Sequence, residues 1–421
     1  MVMKALIRAS TLALLVAFGC SGGVVSVGVG RVEAAEAEFD DWREAFWVDA
    51  EKFGIKRVLF DDAFAGVVPN RSLPDLVLPG KAKRPIKGQA EFIKPPQAYL
   101  ASRHLARLTV RGRGLMTKHR ATLQKIEKEI GVAPQVVLAI WGRETAFGRY
   151  RLPHYAIRVL ATQAYLGRRK KLFREQLLYA LKMLQEGIVE KSKFRSSWAG
   201  AVGLTQLMPS EYFDFAYDLD GDGRKDIWSV PDALASAAYQ LMRKGWQRGQ
   251  TWGFEVRLPR QVTCAMDGPN DARGIQEWHG LGVVRVAQRS YPSAYLRQDA
   301  FLFSPGGGKG PQFVVLENFM VFKRYNPSDL YALFVGHLAD RIAGGGEFIA
   351  DWGNIRQLKT RRIAAIQAHL KADGFAVGKV DGMIGANTRS QIGQYQLKRQ
   401  LEVDCWPTQR LLDHMKASVR R

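Results

Sequence analysis

Cysteine and negative charge are both in short supply in this chain. Of its three cysteines, Cys20 lies in the N-terminal segment, and neither Cys264 nor Cys405 has a convincing base beside it, which removes a thiol nucleophile from the candidate chemistries. Their separation in sequence favours two buried free thiols over a disulfide, although an exported protein could form one. Asp and Glu number 40 against 62 Lys and Arg, a net charge of +22, and the excess implies an anionic partner. The cations are dispersed except at Arg168, Arg169, Lys170 and Lys171. No nucleic-acid-binding motif accompanies them, so nucleic acid is set aside. A hydrophobic content of 47% over 421 residues is enough for two or three packed domains rather than a disordered chain.

The N-terminus reads as an export signal over residues 1–37. Lys4 and Arg8 precede an apolar run from Thr11 to Phe18, and Ala35-Glu36-Ala37 supplies a small-residue cleavage site. Lipidation at Cys20 and retention as an uncleaved anchor are the alternatives, so membrane attachment through this end stays open. The expected compartment is the periplasm.

Helical periodicity dominates the remainder, so the fold class is mainly α (α+β). Phe39 to Phe53 is amphipathic, Pro69 to Pro96 reads as an extended connection, and Tyr99 to Ile130 resumes helix. Pro134 opens the next helix, and its apolar stripe Val137, Ile140, Trp141 continues to Glu144. A carboxylate on the buried stripe is, from geometry alone, more often the partner of a buried arginine than an acid. The sharper reading is an acid kept protonated by Ile140, Trp141 and Phe147, able to protonate a leaving oxygen.

Two helical patterns follow at 156–166 and 169–186, the second closed by Gly187. The stretch SSWAGAVGLTQLMPSEYF, Ser196 to Phe213, permits close backbone approach through Ala199, Gly200, Ala201 and Gly203. It reads either as tight packing or as a groove floor offering the Gln206 amide. Asp218, Asp220 and Asp222 hold positions one, three and five of a calcium loop, with Gly223 at the turn, Arg224 offering a carbonyl and Asp226 at position nine. Position twelve is Ser229 rather than glutamate, and Asp232 is the available replacement. A solvated Asp-Gly turn is the alternative.

Residues 250–317 read as a small inserted sheet, with strands at Phe254–Leu258, Val283–Val286 and Phe313–Leu316. Helix returns through ENFMVFKRYNPSDLYALF, broken at Asn326-Pro327, where Tyr325 and Asn326 read first as turn formers. Gly344-Gly345-Gly346 opens a flexible linker, 344–356, and a compact segment of 357–419 follows with Gln367, Leu370, Ile392 and Tyr395 as its expected core.

GRETAFGRY, SSWAGAVGLTQLMPSEY, DLDGDGRKDIW with Asp232, and FKRYNPSDLYA occur in the order and approximate spacing of the lytic murein transglycosylase B family. IQAHLKADGFAVGKVDGMIGANTRSQIGQYQ resembles the common peptidoglycan-binding domain. The resemblance implies a lysozyme-like helical catalytic domain over 38–343 with the β insertion, followed by a three-helix wall-binding domain. It implies Glu144 as the sole catalytic acid and base, Ser197, Gln206, Tyr325 and Asn326 as substrate-binding residues, and a structural calcium held by Asp218, Asp220, Asp222, Arg224, Asp226 and Asp232. The family's calcium loop also favours the later aspartate over a position-twelve glutamate. Trp198 stands where a tyrosine is common and Leu207 where a phenylalanine is common, which bears on subsite preference. The implied reaction is non-hydrolytic cleavage of the MurNAc-GlcNAc bond of peptidoglycan glycan strands with a 1,6-anhydro product; nothing in the sequence suggests other than a monomer. A hydrolytic muramidase and a silent wall-binding scaffold are the alternatives.

Overall fold

The computed structural model describes residues 29–78 and 93–419. The apolar run of the expected signal, Cys20, and residues 79–92 of the expected extended connection lie outside them, while the cleavage expected near Ala37 falls within the helix Val29–Lys52. No helix among the described residues is long and apolar enough to cross a membrane.

Two helical cores lie ahead of the C-terminal helices. The first gathers Phe39, Phe46, Phe60, Ile157, Leu160, Phe173 and Leu177 from the helices Val29–Lys52, Arg57–Phe64, Ala156–Leu166 and Lys170–Gln185. The second surrounds the helix Pro134–Thr145 with the helices Ser102–Lys118, Arg120–Ile130, Val230–Arg243, Glu317–Tyr325 and Asp329–Ile342. Here the single-stripe reading gives way: Val136, Val137, Leu138, Ala139, Ile140, Trp141 and Gly142 are all buried. A helix that is apolar on every side belongs at the centre of a bundle rather than on its surface. Gly142 fits that place, since a Cβ there would meet the Phe147 ring at 2.6 Å.

The inserted sheet has five strands in the order β4-β6-β7-β3-β5: β3 Gly253–Arg257, β4 Arg273–Gly274, β5 Val284–Arg285, β6 Asp299–Phe303 and β7 Gln312–Val315, every pairing antiparallel. A small ribbon, β1 His154–Tyr155 with β2 Arg195–Ser196, precedes it. The strands β4 and β6 lie outside the expected three. Alternation gives the sheet two apolar faces. Phe301, Phe303, Phe313 and Val315 join the core around Pro134–Thr145, whereas Phe254, Val256, Ala300, Leu302, Val314 and Leu316 pack with Trp278 on the far side.

The C-terminal helices Thr360–Ala372, Ala386–Lys398 and Gln409–Val419 enclose Ile366, Leu370, Ile392, Tyr395, Leu412 and Met415. Gln367 is buried there too, but as a polar clasp: its Oε1 accepts from the Asp381 and Gly382 amides and its Nε2 donates to the Met383 carbonyl.

Two further expectations change. Cys264 and Cys405 form a disulfide across 141 residues instead of remaining free thiols. Neither residue alone signals the pairing, because it depends on the last domain docking against the insertion, where Ser390 and Gln394 also donate to the Ala265 carbonyl. The glycine-opened linker is held down as well: Phe348 stacks on His337 at 3.7 Å, and the Ile349 and Ala350 amides donate to the Glu255 carboxylate.

Candidate functional site

Glu144 sits one residue before the end of the helix Pro134–Thr145, and the chain leaves that helix through three consecutive left-handed residues, Ala146, Phe147 and Gly148. Ala146 and Phe147 occupy this region at a steric cost that a glycine would avoid. Two bonds hold the turn. Thr145 Oγ1 donates to the Leu204 carbonyl at 2.7 Å and accepts from the Gly148 amide at 3.1 Å. The carboxylate is thus half-buried at a rigid helix end rather than on a loop.

Tyr331 reaches the Glu144 carboxylate, its Oη donating to Oε1 at 2.5 Å. Tyr325 stacks on Tyr331 with ring centroids 6.2 Å apart and planes 9° from parallel, and its own hydroxyl donates to the Thr205 carbonyl at 2.9 Å. Burial first, and the Glu144 charge second, push both phenols well above their ordinary range, so they remain protonated donors. Arg143 directly precedes the acid in the same helix. Its guanidinium donates to Tyr99 Oη at 2.6 and 3.0 Å and faces the rings of Tyr99, Tyr331 and Phe334. Burial works against its charge, but Tyr99, Glu144 and Tyr331 outweigh burial and raise its pKa.

Sequence reasoning missed Tyr331, Arg143 and Tyr99. Tyr331 stands inside FKRYNPSDLYA, three residues into the helix Asp329–Ile342, where its spacing reads as core. The groups expected to desolvate the acid are buried, yet Phe147 packs on Trp141 and against Gly142 and Gly112. Glu211 is the second carboxylate whose charge reaches Tyr325. Both of its oxygens are engaged, Oε2 accepting from the Met208 amide and Oε1 from Gln240.

The 196–207 stretch folds back on itself through the bridges Ser196 to Val202 and Val202 to Leu207. Ser197 closes its tip, Oγ accepting from the Ala201 amide at 3.2 Å. Gly200 and Gly203 have positive φ, and a Cβ on them would meet Leu160 at 2.2 Å and the Ile227 carbonyl at 2.8 Å, so the close-approach reading of these residues holds. Gln206 is itself left-handed, and its Nε2 reaches the Gly203 carbonyl. Residues 204–205 tie the parts together: the Leu204 amide bonds the Ile227 carbonyl, the Leu204 carbonyl takes Thr145, and the Thr205 carbonyl takes Tyr325. Asn326 acts locally as a turn former, its Oδ1 accepting from the Ser328 amide at 3.1 Å. Trp198 packs beside the small Leu73, Leu76, Val159 and Leu166 cluster, and Leu207 is buried.

Asp218, Asp220 and Asp222 bring carboxylate oxygens within 4.8 Å of one another. This all-oxygen donor set suits a hard cation such as calcium. Asp218 also accepts the Gly221 and Gly223 amides, which fixes the loop's curvature. Asp226 and Asp232 are not in that cluster. Asp232 is buried, and its two oxygens accept from the Leu219 and Asp226 amides, at 2.9 and 2.8 Å. Burial raises its pKa, with those amides pulling the other way.

Residues 38–340 match the family described as transglycosylase SLT domain, and residues 360–415 match the putative peptidoglycan binding domain. The chain is 39% identical to SltB3 of Pseudomonas aeruginosa, solved in complex with NAG-NAM-pentapeptide, over 90% of this chain and 99% of that one, with a TM-score of 0.80. It is 27% identical to the Escherichia coli lytic transglycosylase Slt35, solved in complex with calcium, over 59% of this chain and 80% of that one, with a TM-score of 0.51. It is also 29% identical, over 232 residues, to membrane-bound lytic murein transglycosylase B of Escherichia coli K12, covering 54% of this chain and 61% of that protein's length.

Proposed function

The chain belongs to the transglycosylase SLT domain family, and from that premise we propose that it is a lytic transglycosylase that cleaves the MurNAc-GlcNAc bond of peptidoglycan without water. The single observation that carries the catalytic assignment is the 2.5 Å bond from Tyr331 to Glu144 at a half-buried helix end. Ordinary glycosidases use two carboxylates, one as acid and one as nucleophile or base. Glu211, the other carboxylate close enough to act on Tyr325, is committed to Met208 and Gln240. In this reading one carboxylate serves twice.

Glu144, protonated, donates its proton to the glycosidic oxygen as the bond to the anomeric carbon breaks. The resulting carboxylate then accepts the proton of the sugar's own 6-hydroxyl as that oxygen closes the 1,6-anhydro ring, so the acid is regenerated and no water is consumed. The substrate's N-acetyl group stabilises the cationic intermediate in place of a second carboxylate. Tyr331, kept protonated, favours the ionised half of this cycle by donating its hydrogen bond to Oε1. Ser197, Gln206, Tyr325 and Asn326 bind the glycan, and the C-terminal domain holds the enzyme to the wall in the periplasm. Asp218, Asp220 and Asp222 would hold a structural calcium, with the Arg224 carbonyl, Asp226 and Asp232 as its further candidates.

Mass spectrometry of digested sacculi tests this reading. Anhydro-muramoyl ends support it, reducing ends one water heavier indicate a hydrolase, and absence of any cleavage with retained binding indicates a scaffold.

A further inference from the structure

Arg389 belongs to the C-terminal domain by sequence, but its guanidinium is buried against the catalytic region. Nε lies 2.6 Å from Asp267 Oδ2 in the insertion, and Nη2 lies 3.2 Å from Asp329 Oδ2. The Lys323 ammonium completes the set at 2.7 Å from Asp329 Oδ1. Two cations and two anions thus balance. The side chains of Arg389 and Asp267 are 2% and 0% exposed, and the remaining oxygen of Asp267 accepts from the Ser304 amide. Burial alone would raise Asp329, yet Arg389 and Lys323 hold it below the usual carboxylate range. Removing one member of such a set leaves an uncompensated buried charge, which costs far more than the set contributes over an apolar substitute.

What matters is where the quartet sits. Lys323 and Asp329 bracket Tyr325, Asn326, Pro327 and Ser328, so their ion pair closes that corner into a short loop. Within the loop Asn326 Oδ1 takes the Ser328 amide, Ser328 Oγ caps the next helix at the Tyr331 amide, and Tyr331 Oη reaches Glu144. Every step from Arg389 to the acid is a named bond or the backbone between two of them. A cavity of about 420 Å³ opens along the same seam, between Lys323, Pro327 and Asp329 on one wall and Met383, Asn387 and Arg389 on the other.

We infer that Arg389 is a positioning residue for glycan cleavage, setting the Lys323–Asp329 closure and thereby the placement of Tyr325, Asn326 and Tyr331 around Glu144. The inference rests on the function proposed above. It gives the C-terminal domain a part in turnover, distinct from holding the enzyme to the wall. A tether alone would change affinity for polymeric sacculi and leave the chemical step untouched.

The test uses the full-length protein and a short soluble muropeptide, a tetrasaccharide carrying stem peptides, so that wall tethering drops out. Arg389→Met is expected to lower kcat about tenfold or more with KM changed less than about threefold, and Arg389→Lys to recover part of the loss. Cys264→Ser with Cys405→Ser loosens the same docking without touching the ion set, and should keep kcat within about twofold while lowering Tm. A folded Arg389→Met protein with unchanged kcat, or one impaired only on sacculi, overturns the inference. If Arg389→Met does not fold, Lys323→Met breaks the closure from its partly exposed end, and unchanged kcat in that variant overturns the inference equally. Wild-type protein that releases reducing ends overturns the proposed reaction instead, since the kcat of either cleavage reads the positioning.

Discussion

Glu144 and the trio Asp218, Asp220 and Asp222 are carboxylates placed in opposite surroundings. Glu144 is half-buried at a helix end, with a stacked tyrosine pair and an arginine nearby. The three aspartates share one loop, Asp220 and Asp222 exposed and Asp218 half-buried, with oxygens that converge to within 4.8 Å. Repulsion within such a trio is tolerable in water and is relieved by a cation, whereas the proton affinity of a lone half-buried carboxylate is set by burial against the hydrogen bonds it accepts. The difference teaches that the number of acids in a site says less than what surrounds each. It also separates two kinds of failure on mutation, loss of chemistry and loss of shape.

Glu144→Gln cuts the comparison most deeply. Production of anhydro-muropeptides is expected to fall roughly 10²–10⁴-fold, the span that general acid–base groups contribute, while binding to sacculi through the C-terminal domain persists. Retained lysis would place the acid elsewhere. Asp232→Ala probes the intermediate case, a buried aspartate whose oxygens serve two backbone amides. Leaving those amides without acceptors should cost about 2–3 kcal/mol in a denaturant melt, and an unchanged melt would show that Asp232 does not shape the loop. Tyr331→Phe removes one oxygen from the acid's surroundings and nothing from the loop. Because the ionised carboxylate loses a donor, kcat should fall about tenfold and the alkaline limb of the pH–rate profile should move to higher pH. A profile identical to wild type would deny Tyr331 any role in the proton cycle.

The two regions also differ in how readable they are. The spacing of Asp218, Asp220, Asp222 and Gly223 is local, so the loop is visible in nine residues. Glu144 is visible only as a carboxylate on an apolar helix, because its partners arrive from far along the chain: Tyr99 lies 44 residues before Arg143, and Tyr331 lies 187 after Glu144. The same physics hides the disulfide and the Arg389 quartet, both of which exist only after the last domain docks. Strand β6 is hidden for another reason. Its run Ala300 to Phe303 is apolar on both faces, so alternation is masked where both sides of the sheet are covered. Helix existence, by contrast, survives these complications, and the helices expected at 156–166 and 169–186 lie at Ala156–Leu166 and Lys170–Gln185.

Calcium supplies the mildest test of the contrast. If the loop serves shape alone, calcium at ten times its dissociation constant should stabilise the native state by about 1.4 kcal/mol, the value that mass action gives for one site. Asp220→Asn should abolish that calcium dependence of Tm while leaving kcat on the soluble muropeptide within about twofold. The expected separation is not guaranteed by distance, because Ile227 at the loop's end bonds Leu204, whose carbonyl holds Thr145 beside the acid. A chelated enzyme that lost activity as completely as Glu144→Gln would show this backbone path transmitting the loop's state to the site. The trio and the single acid would then be parts of one device.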